Sequence, residues 1–311
     1  MRIIFMGMGG PLSSAPLQHL LQASVLEKGF QVDAVVIAAS QQEVPWRRAP
    51  GPQEHPKPAS QDAPVQQLLP LVTRYLTRSI MQLAWEHDIA LYEVGDLRTE
   101  EVQEALRRLA PDVVLVSCFA QRVSPRLLTL PKHGFLNLHP SMLPAFRGPH
   151  PLFWQLRDGL TEIGVTVHRM DAGLDTGDIA LQEAVALPDG LSGPEIEWLA
   201  GDAGGRLFVK ALQSLATGNL SLQPQQPGGS RQGRPQEADF VLDRAWSARR
   251  AFNFLRGTTE WGRPYPVEVN ERLWPLHRAL AYYPEMSQDV PVKQEGNRVK
   301  IQFNPGVLEA V

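Results

Sequence analysis

The sequence predicts an α/β fold with a mostly parallel, Rossmann-like sheet, followed by a small OB-like β-barrel. Three observations carry this. Arg2-Ile3-Ile4-Phe5-Met6 is an apolar strand-like run, a glycine turn follows at Gly7-Met8-Gly9-Gly10, then comes a helical pattern and a second apolar run from Val32 to Ala38. That order is the start of a βαβ unit, and hence of a parallel sheet. Val113-Val114-Leu115-Val116 is apolar without alternation, as expected for a strand covered on both faces. Beyond residue 258, short strand-like stretches alternate with turn signals, the pattern of a small barrel.

The elements follow in order. Leu17, Leu20, Leu21 and Val25 have helical spacing, with Ser13 or Ser14 as N-cap. Residues 40–66 are rich in Pro, Gln and Ala and read as a long exposed loop. Residues 66–86 read as a helix with Leu68, Leu69, Val72, Leu76, Ile80 and Leu83 on one side. Thr99 caps a helix over Glu100–Leu109, whose first-turn glutamates suit its positive end. Ser124-Pro125 opens a short helix, and a helix follows around Leu152–Leu160. Residues 179–187 read as a strand and 194–217 as a helix. The segment 218–236, Gly/Gln/Pro-rich, reads as a linker. A helix over Ser247–Arg256 then precedes five short strands: Tyr265–Val269, Leu273–Tyr283, Pro291–Gln294, Val299–Phe303 and Val307–Val311. The expected organisation is a domain over 1–217, the linker 218–236 and a second domain over 237–311.

Composition bounds the function. The chain has 311 residues, 43% of them hydrophobic, enough for a substantial core. No apolar run approaches the roughly 20 residues of a membrane helix, and the N-terminus lacks a basic region with a cleavage site. The single cysteine, Cys118, sits in an apolar run and reads as a buried small hydrophobe. These features lead to the expectation of a cytoplasmic protein. The net charge of −3 gives no global attraction to nucleic acid. The glycine turn fails the dinucleotide fingerprint, because Leu12 stands where the third glycine belongs.

The chemistry concentrates between Asn137 and Asp178. In Gly134-Phe135-Leu136-Asn137-Leu138-His139 the alternation puts Asn137 and His139 on one face of a strand, and Pro140 ends the ladder. In Gly164-Val165-Thr166-Val167-His168, Val165 and Val167 are strand-like, and the chain breaks at the glycines around Asp175. An amide, an imidazole and a carboxylate suit attack on a carbonyl. The amide donates to an oxygen that becomes negative, the imidazole moves a proton near neutral pH, and the carboxylate favours the protonated ring. Each residue alone is equally well a cap or turn residue. Arg147 either binds an anionic group or anchors its turn, and anchoring is the favoured reading. The histidines 133, 139, 150 and 168 match no close Cys/His ligand spacing, so no metal is expected.

The wording Asn137-x-His139-Pro140-Ser141-x-Leu143-Pro144-x-x-Arg147-Gly148, followed by Gly164-Val165-Thr166-Val167-His168 and Gly173-Leu174-Asp175-Thr176-Gly177-Asp178-Ile179, resembles the formyltransferases that use 10-formyltetrahydrofolate. The resemblance covers nearly the whole chain. It is strong over 111–190 and loose over 40–100 and 258–311. It implies that Asn137, His139 and Asp175 are the catalytic residues. It also implies that the turn Ser141, Met142, Leu143, Pro144 lines a folate pocket. By the same resemblance Phe119 and Gln121 border the pterin, although Phe119 serves equally as core. The loop from Asp171 through Gly173 and Leu174 to Asp178 closes over the pterin.

The resemblance favours methionyl-tRNA as acceptor, and so a role in translation initiation. The 40–66 loop, with Arg47, Arg48 and Lys57 offset by Glu43, Glu54 and Asp62, is less basic than expected for handling an acceptor stem. A nucleotide-linked amino sugar is the second reading, and hydrolysis to formate uses the same triad. Glycinamide ribonucleotide fits less well, because enzymes acting on it resemble only the first domain. A folate- or RNA-binding protein without catalysis is the non-enzyme alternative, which the intact triad argues against.

Overall fold

The computed structural model describes residues 1–27, 29–39, 46–49 and 78–311. The expected loop over 40–66 and the first part of the expected helix over 66–86 lie largely outside the described residues. The N-terminal strand β1 (Arg2–Gly7) runs into α1 (Pro11–Glu27) and returns as β2 (Gln31–Ala38). Then come β3 (Arg47–Arg48), α2 (Ile80–Glu86), β4 (Ala90–Val94), α3 (Glu100–Leu109) and β5 (Val113–Ser117). The site-bearing half follows as α4 (Pro125–Leu128), β6 (Phe135–His139), α5 (Pro151–Arg157), β7 (Glu162–Arg169), β8 (Ile179–Ala186) and α6 (Gly193–Ala216).

One sheet takes all eight strands in the order β3-β4-β2-β1-β5-β6-β7-β8. The stretch from β4 to β6 is parallel, and β3, β7 and β8 pair antiparallel at the two edges. Strand faces sort the core. Ile3, Phe5, Val35, Leu115, Leu138 and Val165 pack toward α1 and α6, while Ile4, Met6, Val36, Val114 and Val116 pack toward α3 and α4. With helices on both faces, the chain order reverses between β1 and β5. Ligands of such sheets bind outside the carboxyl ends of the strands at that point.

Several local expectations change. The first helix starts at Pro11, so Ser13 and Ser14 lie inside it and cap nothing. Ser13 Oγ instead donates to Ser117 O at 2.7 Å and accepts from Met8 N at 3.1 Å. Pro16 inside α1 has no N–H for the Leu12 carbonyl, and Ser117 Oγ supplies the missing donor at 2.6 Å. The β1 and β5 ends are thus pinned to the same helix start. Strand β4 was not anticipated. Within the stretch read as loop, Arg47 pairs with Glu93, Nη2 to Oε2 at 2.5 Å, and Trp46 stacks on Tyr92 at 4.7 Å between ring centroids. Among the described residues, no helix is long and apolar enough to cross a membrane.

The segment 218–236 is laid along the sheet domain by hydrogen bonds. Gln223 bridges Ile179, Arg231 bridges Arg147, and Ser230 N donates to Pro144 O at 3.2 Å. Gly229 (φ +82°) passes so close that a Cβ there would sit 2.2 Å from Pro144 O. The chain then forms the helix α7 (Ala248–Gly257), a short turn of helix over Thr259–Trp261, and strands β9 (Tyr265–Val269), β10 (Arg272–Leu276), β11 (Ala279–Tyr283), β12 (Val292–Glu295), β13 (Arg298–Gln302) and β14 (Val307–Ala310). This small β domain has a two-stranded hairpin, β10-β9, and a four-stranded antiparallel sheet, β11-β14-β13-β12. The run read as one strand over Leu273–Tyr283 breaks at His277-Arg278 into β10 and β11. Phe153 of α5 packs against Phe240, Phe254 and Trp261, so the core runs on into this region.

Candidate active site

Alternation on β6 places Asn137 and His139 two residues apart at the carboxyl end of a parallel strand. The antiparallel neighbour β7 sets His168 opposite Asn137 and Thr166 opposite His139. The loop after β7 brings Asp175 back over the same strand ends. His139 Nδ1 stands 3.7 Å from Asp175 Oδ1, and His139 Nε2 is 2.9 Å from Phe146 O. The Asp175 carboxylate also accepts from Gly148 N, 2.8 Å from Oδ2. Asp175 adopts the left-handed conformation, φ +58°, uncommon for a residue with a side chain.

His168 is 2% exposed and completes the group. Its Nδ1 faces Arg169 O at 3.3 Å, and its Nε2 faces Asn137 Nδ2 at 3.1 Å and Asp175 Oδ1 at 3.8 Å. The network assigns the proton to Nδ1, which leaves Nε2 to accept from the Asn137 amide. Burial, then the neighbouring His139, push the His168 pKa down to about 4, against a smaller opposing pull from Asp175. A neutral ring therefore fixes which way the Asn137 amide points.

These groups open into a cavity of about 1170 Å³ between the sheet and the C-terminal region. The switch point contributes Met8, Leu12, Val116 and Cys118. The segment 231–234 and the turn 257–261 supply Arg231, Arg234, Thr258 and Trp261. Charge is divided within it. Arg122 donates to Ala172 O at 3.0 Å, and Arg231 and Arg234 stand on the same wall set. Glu197 and Glu260 also line the cavity, and burial, then Glu260, push the Glu197 pKa up. His150 is pushed down by burial, then by Arg234.

The residues singled out from the sequence divide into two groups. Asn137, His139 and Asp175 converge, and Phe119, Asp171, Gly173 and Leu174 line the same cavity. Gln121 also borders it, but its amide is used within the protein: Oε1 accepts from Leu97 N, and Nε2 donates to Val94 O and Gly95 O. Asp171 Oδ1 likewise accepts from Thr176 Oγ1 at 2.7 Å and from Gly173 N at 3.0 Å, holding the loop on itself.

The turn Ser141, Met142, Leu143, Pro144 follows Pro140, which lines the cavity, and Met142 is exposed. Ser141 and Leu143 are buried, and the turn is fastened to Thr166, whose Oγ1 donates to Ser141 O at 2.6 Å and accepts from Leu143 N at 3.2 Å. Cys118 corrects the expectation of a buried small hydrophobe. It is an exposed residue on the cavity wall, with its thiol pushed up to about 11 by surrounding protein, then by Glu197. Arg147 anchors, as favoured: Nε and Nη2 donate to Gln225 Oε1 at 3.0 and 2.6 Å, and Nη1 donates to Gly228 O at 3.2 Å.

The sequence reading missed His168, Gln225 and Trp261. Alternation with Val165 and Val167 already set His168 on the opposite face of its strand. Nothing local signalled the other two.

The pattern of the formyl transferase family matches residues 1–212. The chain belongs to that family. A methionyl-tRNA formyltransferase of Clostridium botulinum is 30% identical over 239 residues, 75% of this chain and 76% of that protein. One of Geobacter sulfurreducens is 34% identical over 187 residues, 60% of this chain and 59% of that one. Among solved structures, a sugar 3N-formyl transferase in the presence of dTDP and 5-N-formyl-THF superposes with a TM-score of 0.63 at 16% identity. That match covers 100% of this chain and 96% of the other and shows a shared fold.

Proposed function

We propose that this chain transfers the formyl group of 10-formyltetrahydrofolate to a primary amine, and that the amine belongs to methionyl-tRNA. The observation that carries the chemistry is the convergence of Asn137, His139 and Asp175 at the strand ends, with Asp175 Oδ1 3.7 Å from His139 Nδ1. The cavity is large. At about 1170 Å³ it exceeds the roughly 300–1,000 Å³ usual for one ligand. Phe119, Val116, Met170 and Leu174 offer apolar lining beside the triad, a surface suited to a flat pterin ring.

Bound 10-formyltetrahydrofolate supplies the carbonyl carbon that the amine attacks. The Asn137 amide, aimed by neutral His168, donates to the oxygen on which charge develops, a contribution of ~3 kcal/mol in such sites. His139 carries the proton between the amine and the departing nitrogen. Asp175 holds the ring and stabilises its charged form. No covalent enzyme intermediate is needed, and a Cys118 thiol with a pKa near 11 is a poor nucleophile.

The named relatives support methionyl-tRNA as the acceptor. A nucleotide-linked amino sugar is the second reading, favoured by the sparse basic charge of the 40–66 loop and by Arg47 being engaged with Glu93. The test offers the purified chain 10-formyltetrahydrofolate with methionyl-tRNA, dTDP-linked amino sugars, or water alone. Formylmethionyl-tRNA as the product of highest kcat/KM is the expected result. Turnover only with the sugar or with water would overturn the acceptor and keep the chemistry.

A further inference from the structure

Asp175 is held from outside its own loop. Its carbonyl accepts from Gln225 Nε2 at 2.9 Å, and the same nitrogen donates to Gly177 O at 2.8 Å. Both amide protons thus clamp the backbone on either side of Thr176. The other end of that amide is equally full, since Gln225 Oε1 accepts two bonds from the Arg147 guanidinium. The next residue, Gly148, donates its N–H to Asp175 Oδ2. A closed circuit therefore runs from the Asp175 carboxylate through Gly148, Arg147 and Gln225 to the Asp175 carbonyl. It holds an aspartate in the left-handed conformation, φ +58°.

We propose that Gln225, from the segment whose composition reads as a spacer, is a positioning residue of the active site: it fixes the backbone that carries Asp175 and so sets the carboxylate against His139. The residue type is specific to the task. Two carbonyls need two donors and a guanidinium needs an acceptor, and an uncharged primary amide offers all of these at one point. A glutamate of the same shape would keep Arg147 and lose both donors, setting a carboxylate against two carbonyl oxygens. The 218–236 segment then belongs to the catalytic machinery. The inference rests on Asp175 being a catalytic group.

The test uses full-length protein in the formyl-transfer assay, with kcat and KM measured separately for Gln225→Glu, for the uncharged Gln225→Met, for Asp175→Ala and for each double variant with Asp175→Ala. The expected result is a fall in kcat of about 100-fold for both Gln225 variants, with KM for folate and acceptor unchanged. No further loss is expected when either is added to Asp175→Ala. Wild-type kcat in both Gln225 variants, beside an inactive Asp175→Ala, would overturn the inference alone. So would losses that add to Asp175→Ala, or a rise in KM in place of a fall in kcat. Full turnover by Asp175→Ala would overturn the catalytic reading on which the inference stands.

Discussion

Lowering the pH from 7 to 5 should destabilise this protein through His168, and replacing that residue by leucine should remove that part of the loss. The ring is 2% exposed and faces His139, Asp175 and Asn137, with Asp171 acting from farther away. Burial and His139 hold its pKa at about 4, against 6.5 for a free ring. At pH 5 the unfolded chain therefore carries a proton on this histidine that most folded molecules do not. The state that binds more protons gains as pH falls, so the folded state loses stability between the two pKa values. The contribution at pH 7 is small, and at pH 5 it reaches about 2 kcal/mol. The assay is urea unfolding of wild type and His168→Leu at both pH values. Removing the acceptor of the Asn137 amide offsets the variant at each pH, so the quantity of interest is the difference between pH 7 and pH 5. Wild type should lose about 2 kcal/mol more across that interval than His168→Leu. Equal losses would refute a neutral His168 in the folded protein, and with it the account of how Asn137 is aimed.

Three further outcomes follow from the same geometry. Asn137→Ala should lower kcat about 10²–10³-fold with little change in folate affinity, since it removes a donor that acts mainly on developing charge; stopped-flow single turnovers with a parallel binding titration check this. Gly148→Ala should cost more than about 1 kcal/mol and most of the activity, because Gly148 has φ +104° and a Cβ would stand 2.3 Å from Gln232 O, while its N–H holds Asp175; thermal melting and kcat are the readouts. Cys118, with its thiol pushed up to about 11, should react with iodoacetamide at pH 8 far more slowly than a free cysteine, as followed by mass spectrometry.

The parts of this protein legible in its sequence are those that local pattern determines. Periodicity and apolar runs located β1, β2, β5 and β6 and the helices α3 and α6. The stop at Pro140 placed Asn137 and His139 at a strand end, where the structure has them. The resemblance over 137–178 supplied Asp175, which no local rule ties to His139. The missed features are long-range. Asn137 meets His168 because β7 turns antiparallel to β6 in one register, and register is a property of two segments together. Ser13 looked like a cap, but its hydroxyl found Ser117, 104 residues away. The 218–236 segment has the composition of a spacer. Its glutamine and glycines instead meet partners at Asp175, Gly177 and Pro144, which composition cannot encode. The bonds that fasten the turn at Ser141–Pro144 to Thr166 join segments 25 residues apart, and local pattern does not encode them.

The account stands most directly on His139. The decisive measurement compares wild type and His139→Ala for formyl transfer from 10-formyltetrahydrofolate to methionyl-tRNA, with folate binding measured on both proteins. The account predicts that the variant binds the folate with similar affinity and loses at least about 100-fold in turnover, as expected when a proton-transfer group is removed. A variant that turns over at the wild-type rate, or a wild type that binds folate and formylates no acceptor, would contradict it.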